Sequence, residues 1–244
     1  MQESVFQVRA EMLKSLALPA SASGFRALQR RQRMKIAAWE INLRSLFVAK
    51  RVMDLGLALA GLVVLLPLFV VVGLAIVIED GWPIFYTQDR VGLNGRVFRF
   101  YKFRSMRNGA DRMLGQLAAR NESQDGVIFK MKRDPRVTRV GRFIRRFSID
   151  EMPQIFSVLT GDLAVVGPRP PLPREVAEYT LEERKRLHAK PGLTCFWQIQ
   201  GRSEIPFKEQ VRLDLQYIHG QGLWQDLVII VKTVPAVLLG RGAY

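Results

Sequence analysis

The longest apolar run of the chain covers residues 55–78 and holds 24 residues without a charged or strongly polar side chain. As a helix it would extend about 36 Å, at ~1.5 Å per residue, which exceeds the ~30 Å hydrocarbon core of a bilayer. The run begins too far from the N-terminus for an ordinary signal peptide, and no small-residue cleavage site follows it. This pattern predicts a membrane protein, with a buried core helix of a soluble protein as the alternative.

Pro67 lies near the middle of the apolar run, where a proline removes a backbone donor and bends a helix. Residues 26–51 hold eight basic side chains and one acid, Glu40, and the chain after the run is also basic. Because cytoplasmic loops collect positive charge, both ends of the run are predicted to be cytoplasmic. A re-entrant helix broken at Pro67 satisfies this distribution, and a single straight span is the alternative.

Two further segments have the composition of helices that lie on a membrane surface. Residues 25–47 mix apolar side chains with many arginines, which is typical of a basic amphipathic helix on an anionic inner leaflet. Residues 223–240 are strongly apolar with few charges, and they fit a second surface-lying helix or a core helix equally well. Anionic lipid is therefore one expected partner.

The rest of the chain has a mainly helical pattern with one β-hairpin. Between residues 81 and 103, apolar and polar side chains alternate on both sides of Asn94-Gly95, a dipeptide that favours a hairpin turn. Residues 175–188 predict a charged, exposed helix, and residues 207–217 predict another helix. We expect an α+β fold, mainly helical, with an N-terminal extension (1–45), a membrane helix (46–80) and a cytoplasmic domain (81–244).

Composition narrows the classes of partner and of chemistry. The chain carries 37 lysines and arginines against 22 acidic residues, a net charge of +15 at pH 7. This balance favours nucleic acid, an anionic membrane surface or phosphorylated substrates. The single cysteine, Cys195, excludes an internal disulfide and a cysteine-rich zinc site. Only two histidines are present, His188 and His219, which argues against histidine-based metal catalysis.

Two adjacent carboxylates, Asp150 and Glu151, follow a long basic stretch. Ser148 and Glu151 form an S-x-x-E pattern, so one interpretation is a helix capping box. The other is a reactive centre for phosphate chemistry, because helical neighbours point in directions ~100° apart and can take different tasks. Arg145 and Arg146 stand just before the pair, and Mg²⁺ with arginines relieves the repulsion between a carboxylate and a diphosphate. The two interpretations are compatible.

Arg169 lies between Pro168 and Pro170 in a GPRP segment. The prolines restrict the backbone on both sides, so the planar guanidinium can be pre-positioned for a phosphate group. A solvated loop arginine is the alternative.

Four long segments occur in a fixed order. They read AKRVMDLGLALAGLVVLLPL, FYTQDRVGLNGRVFRFYKFRSM, FSIDEMPQIFSVLTGDLAVVGPRP and KPGLTCFWQIQGR. From about Phe47 to the C-terminus the chain resembles the bacterial sugar transferases, monotopic phosphoglycosyl transferases that start polysaccharide and glycoconjugate assembly. The resemblance implies a monotopic protein of the bacterial inner membrane. Its parts would be a Pro-kinked re-entrant helix, interfacial amphipathic helices, and a small β-hairpin in a cytoplasmic catalytic domain.

The resemblance also implies a reaction. A sugar 1-phosphate would move from a UDP-sugar to undecaprenyl phosphate with release of UMP, through a covalent phosphoglycosyl-aspartate and with Mg²⁺ as cofactor. The expected partners are the UDP-sugar and undecaprenyl phosphate, and not nucleic acid. The identity of the sugar is not indicated, and a homodimer stays open.

Matched to the family's motifs, individual residues acquire expected roles. Asp150 would be the nucleophile and Glu151 the Mg²⁺ ligand. The phosphate contacts would be Arg145, Arg169 and Lys102, and the nucleotide contacts would be Gln198 and Arg202. The re-entrant helix would begin at Lys50, Arg51 and Asp54 and bend at Pro67. Asp226 would match a further carboxylate of the family.

Two other functions compete with this one. A basic membrane-attached module that binds nucleic acid or anionic lipid would explain the charge, but not the Asp150-Glu151 pair. A glycosyltransferase that moves only the sugar would release UDP instead of UMP, so the released nucleotide separates the two enzymes.

Overall fold

The computed structural model describes residues 22–110, 112–113, 131, 134–201 and 205–238. By its internal contacts the chain divides into two units, Met1–Met53 and Asp54–Tyr244. The boundary predicted after residue 45 falls within the first helix, and the one predicted after residue 80 falls at its end. The proposed division into an extension, a membrane helix and a catalytic domain stays a prediction.

The first helix, α1, runs from Ala22 to Asp80 and includes Pro67. Its portion Leu28–Asp80 is long and apolar enough to cross a membrane. Val63 and Val64 are 74% and 75% exposed, which is unlike a core helix of a soluble protein and indicates a membrane location. The helix is continuous through Pro67, so the re-entrant bend stays a prediction.

The predicted hairpin is confirmed. Strands β1 (Phe85–Val91) and β2 (Val97–Phe103) pair antiparallel, and Leu93–Gly95 form a 3₁₀ turn in which Asn94 has φ 55°. The register pairs Tyr86 with Lys102, Gln88 with Phe100, and Arg90 with Phe98, and paired residues share one face of the sheet. This face includes two charged side chains and the buried rings of Phe98 and Phe100.

The main core lies between the second half of α1 and the hairpin. Phe69 of α1 packs edge-on against Phe103 of β2, with ring centres 5.2 Å apart. The same cluster takes in buried residues of the segments that follow, namely Ile144, Ile149, Ile155, Val158 and Leu163. The apolar helix and the segment around residue 150 therefore share one hydrophobic core.

The helical remainder consists of short elements. They are α2 (Arg139–Arg146), a 3₁₀ helix (Ile149–Gln154), α3 (Ile155–Thr160), α4 (Pro173–Ala177), α5 (Leu181–Arg184), a 3₁₀ helix (Lys185–His188), α6 (Phe196–Gln200), α7 (Phe207–His219) and α8 (Leu223–Leu238). The single helix predicted over residues 175–188 is wrong, because three short pieces occupy that stretch. In α8, Ile229 is fully buried while Trp224 is 78% exposed, so one face of the helix packs in the core and the other is exposed.

A parallel pair of strands, which the sequence pattern did not predict, joins β3 (Ala164–Val166) to β4 (Gly192–Thr194). Gly192 donates its N–H to Pro168 O (2.9 Å), and Gly167 donates to Thr194 O (3.0 Å). A Cβ on Gly192 would overlap the backbone of Gly167. The absence of side chains therefore lets two backbones meet where the GPRP segment begins.

We expect Gly192→Ala to lower the free energy of unfolding by at least about 1–3 kcal/mol, because the obstructing atoms are backbone and cannot rotate away. Thermal unfolding in detergent measures the change. Gly220→Ala is the matched control, since the nearest atom to its added Cβ is a side-chain oxygen at 3.4 Å. Equal midpoints for the two variants would contradict the close approach.

Candidate active site

A cavity of about 900 Å³ collects six of the residues singled out from the sequence. These six are Lys102, Arg145, Asp150, Glu151, Arg169 and Gln198. They come from β2, α2, the 3₁₀ helix Ile149–Gln154, the GPRP segment and α6, so the fold assembles the group from parts up to about a hundred residues apart. Arg202 lies outside the described residues.

The carboxylate pair lies in the 3₁₀ helix Ile149–Gln154, where three residues complete a turn and neighbouring side chains diverge by ~120°. The predicted capping box is wrong. Ser148 has φ 54° and its side chain makes no cap hydrogen bond. The carboxylate of Glu151 is instead bound by cations from other parts of the chain.

Glu151 forms two ion pairs through the same oxygen. Its Oε1 accepts a hydrogen bond from Lys102 Nζ at 2.6 Å and lies 3.4 Å from Arg169 Nη2. Oε2 has no hydrogen-bond partner among the described residues. Burial alone would raise the pKa of Glu151, but attraction to Lys102 and Arg169 outweighs it and holds that pKa well below its usual range. Glu151 is therefore ionised at neutral pH.

Asp150 is buried in the same cavity, 8% exposed, and its carboxylate has no hydrogen-bond partner within the described part of the chain. Burial raises its pKa to about 6, and the charge of Glu151 adds to the rise, against the attraction of Lys102, Arg145 and Arg169. Two adjacent carboxylates therefore have opposite environments. One is bound by cations, and the other is desolvated and has no hydrogen-bond partner in the described part of the chain.

Three elements deliver the cations around this pair. Lys102 extends from β2 with its amine 5.4 Å from the centre of the Phe100 ring. The guanidinium of Arg169 lies 5.7 Å from the centre of the Trp197 ring, a cation–π distance. Arg145 lies in the last turn of α2. The charged groups of Lys102 and Arg169 thus each lie near an aromatic ring, and the backbone of Arg145 is fixed by a helix.

The end of α1 fixes the start of α2, the helix that carries Arg145. Glu79 accepts the N–H of Arg139 at 2.7 Å and that of Val140 at 2.8 Å. Thr138 also caps this helix by accepting from Gly141 N. The first turn of α2 is thereby satisfied by side chains, one of them from the apolar helix.

The remaining predicted carboxylates are structural contacts in this molecule. Asp54, 3% exposed on α1, accepts the N–H of Val165 through Oδ1 at 3.1 Å. Asp226, fully buried on α8, accepts from the Tyr217 hydroxyl at 2.8 Å. Both carboxylates lie close to β3: Asp54 binds Val165 directly, and the Tyr217 hydroxyl that contacts Asp226 also lies 3.0 Å from Val166 O. Lys50 and Arg51 lie on α1 in the first unit.

Metal binding here would depend on few protein ligands. The described residues contain no group of three or more His, Cys, Asp or Glu side chains arranged for a metal ion. Mg²⁺ commonly binds through one or two carboxylates, with substrate phosphates and water completing its shell. Glu151 is ionised and no described residue hydrogen-bonds its Oε2, so the residues present fit Mg²⁺ in that mode.

A buried ion pair between Arg186 and Asp214 was not found by sequence reasoning. Arg186 donates to Asp214 Oδ2 at 2.5 Å and to the Tyr179 hydroxyl at 3.1 Å. Burial raises the pKa of Asp214 to about 6 against the attraction of Arg186. The partners are separated by 28 positions and lie in different elements, so no local pattern links them.

Comparison with known proteins gives one consistent result. Residues 45–240 match the family described as bacterial sugar transferase. The chain is 46% identical over 199 residues to the galactosyl transferase CpsE of Streptococcus agalactiae, covering 80% of this chain and 43% of that protein. It is 38% identical over 200 residues to the exopolysaccharide production protein ExoY of Sinorhizobium fredii, covering 81% and 88%. It is 39% identical over 204 residues to the undecaprenyl-phosphate galactose phosphotransferase of Salmonella typhimurium, covering 82% and 43%. The chain thus spans less than half of two of these relatives and most of the third.

We expect Arg186→Met to lower the free energy of unfolding by about 3–5 kcal/mol, because it leaves the Asp214 carboxylate buried without its cation. The double variant Arg186→Met/Asp214→Leu should recover much of this loss. Thermal unfolding in detergent measures both. Arg212→Met removes an ion pair with Glu209 that lies at the surface, and its midpoint should hardly change. A loss as small as that of the control would contradict a stabilising pair.

Proposed function

The chain belongs to the bacterial sugar transferase family, and we propose that it moves a sugar 1-phosphate from a UDP-sugar to undecaprenyl phosphate, releasing UMP. The observation that carries this proposal is the environment of Asp150. This carboxylate is desolvated and has no hydrogen-bond partner among the described residues, and Glu151, beside it in the cavity, is already neutralised by two cations. Such a group can attack phosphorus, whereas a carboxylate held by cations is a poor nucleophile.

The first step forms a covalent intermediate. An Asp150 carboxylate oxygen attacks the sugar-bearing phosphorus of the donor, the bond from that phosphorus to the bridging oxygen breaks, and UMP leaves with the electron pair. In the second step a phosphate oxygen of undecaprenyl phosphate attacks the same phosphorus. Asp150 leaves as a carboxylate, and the product is a sugar joined to the lipid through a diphosphate.

The cations of the cavity oppose the repulsion between these anions. Lys102 and Arg169 are held at the Glu151 carboxylate, next to the attacking group, and Arg145 lies on the same cavity wall. Donors and charges that are already in place stabilise a developing phosphoryl anion without reorganising at the moment of reaction. Mg²⁺, held by Glu151, would supply further positive charge for the diphosphate. Gln198 and Arg202 stay the proposed nucleotide contacts.

The cavity wall also has an apolar part that fits a lipid acceptor. Its side chains come from α1, the two short strands and α8, and they are Leu65, Val165, Leu193, Ile230, Val234 and Ala236. Leu65 belongs to the apolar run itself. We propose that this wall adjoins the bilayer, with the chain monotopic in the inner membrane, re-entrant at Pro67 and its catalytic domain in the cytoplasm.

The test is nucleotide release by the detergent-purified protein with Mg²⁺, undecaprenyl phosphate and a panel of UDP-hexoses and N-acetylated UDP-sugars. We expect UMP from at least one donor, and a fall of at least about 10³-fold in Asp150→Asn. Without acceptor, the mass of the wild type should rise by that of the sugar phosphate, and the mass of Asp150→Asn should not. Chelation of Mg²⁺ should abolish both signals.

Asp89→Asn is the matched control, because Asp89 is an exposed carboxylate on β1 outside the cavity. Its rate should equal that of the wild type. Release of UDP in place of UMP would show glycosyl transfer, and no nucleotide from any donor would remove the proposal.

The pH dependence should report Asp150 directly. Since the ionised form attacks, kcat/KM should fall about tenfold for each pH unit below about 6, the raised pKa of Asp150. Lys102→Met removes an attraction that lowers this pKa, so the acidic limb should move to higher pH. Lys208→Met, an exposed lysine outside the cavity, should leave the limb in place. An unmoved limb in Lys102→Met would contradict the assignment to Asp150.

A further inference from the structure

Arg90 is a buried cation that the reaction scheme does not use. It is 7% exposed, lies on β1, and is not among the residues that line the cavity. Its guanidinium donates from Nη1 to Pro170 O at 3.0 Å and from Nη2 to the Gln88 side-chain oxygen at 2.9 Å, while Nε has no partner within the described residues. Burial, together with repulsion from Arg169, lowers its pKa to about 10 against the attraction of Glu175 and Glu151.

Burying the Arg90 guanidinium with these contacts costs desolvation free energy and is therefore an inefficient way to stabilise the fold. A buried cation normally requires a carboxylate, and Arg90 has only neutral hydrogen-bond acceptors in the described structure. An apolar side chain of similar volume would fill the same space without the desolvation. The position therefore calls for an explanation other than packing.

The residue that Arg90 holds is adjacent to Arg169. Pro170 and Pro171 have no N–H, so carbonyl oxygens are the backbone groups through which this segment can be anchored. Pro170 O accepts from the Arg90 side chain, and Pro171 O accepts from Val91 N at 2.9 Å. The end of β1 thus fixes two consecutive peptide groups directly after Arg169.

A second contact connects Arg90 to the other cation of the site. The guanidinium carbon of Arg90 lies 5.2 Å from the centre of the Phe100 ring, and Lys102 Nζ lies 5.4 Å from the same centre. Phe100 is 3% exposed, so neither cation contacts a ring that is free to move. Arg90 therefore contacts the segment that carries Arg169 and the same ring that Lys102 contacts.

We propose that Arg90 is a positioning residue that acts through Arg169. It keeps the guanidinium of Arg169 at the phosphate oxygens of the nucleotide-sugar donor. This inference rests on the function proposed above. It assigns a task to a side chain that never touches the substrate, and it predicts that the effects of Arg90 and Arg169 are coupled.

A double-mutant cycle on kcat/KM for the UDP-sugar tests the coupling. Arg90→Gln alone should lower kcat/KM by about 10- to 100-fold, the scale of a small misplacement of a binding group. In an Arg169→Gln background the same change should cost less than about threefold, whereas a purely structural defect would add in full. Arg90→Lys, which can still donate to Pro170 O, should recover part of the loss and carries the cycle if Arg90→Gln does not fold.

Arg99→Gln is the control, since Arg99 is exposed on the opposite face of the same hairpin and should have wild-type kinetics. Additive losses, or a wild-type rate in Arg90→Gln, would overturn the proposal. Repeating the cycle on the affinity for UDP, measured by calorimetry without turnover, separates the two proposals. UDP binding with the same coupling but no UMP formation would leave Arg90 as a positioning residue and remove the proposed reaction. A wild type that neither binds UDP nor forms UMP would overturn both.

Discussion

The carboxylate of Glu151 connects three separate parts of the chain, and the arrangement of the site depends on it. It belongs to a 3₁₀ helix, while its partners Lys102 and Arg169 come from β2 and from the GPRP segment. These cations hydrogen-bond Glu151, while burial desolvates the adjacent Asp150 and no described residue hydrogen-bonds its carboxylate. Neighbouring carboxylates with separated pKa values are the usual basis for dividing two tasks between them.

The hairpin, the apolar helix and the carboxylate pair were singled out from local patterns, whereas Lys102 and Gln198 were assigned through the family resemblance. The hairpin was predicted from Asn94-Gly95 between two alternating segments. The helix long enough to cross a membrane was predicted from the length of the apolar run. The contacts that sequence reasoning missed have one cause. The capping box failed because Lys102, 49 positions away, binds the carboxylate that the local pattern assigns to the Ser148 backbone. Arg90 was missed for the same reason, since its acceptor lies 80 positions away. Contacts between distant segments outweigh local preferences and leave no local signature.

The apolar helix is part of the site as well as a membrane segment. Leu65 contributes to the cavity wall, Phe69 packs on β2, and Glu79 holds the first turn of the helix that carries Arg145. Asp54, nearer the start of the run, binds the backbone of β3. Four positions along α1 therefore contact β2, β3, α2 and the cavity wall, the parts that surround the carboxylate pair. A displacement of α1 would disturb all of them together.

The apolar wall around Leu65 has a kinetic consequence for the proposed reaction. An isoprenoid acceptor could present its headgroup to Asp150 while its tail stays dissolved in the leaflet. Encounter would then occur by lateral diffusion in two dimensions, and the quantity that saturates the enzyme would be the surface density of the carrier. Diluting the membrane with inert phospholipid would slow the second half-reaction at constant bulk concentration of carrier. The water-soluble donor would saturate the enzyme according to its bulk concentration. The rate would therefore depend on a surface density for one substrate and on a volume concentration for the other.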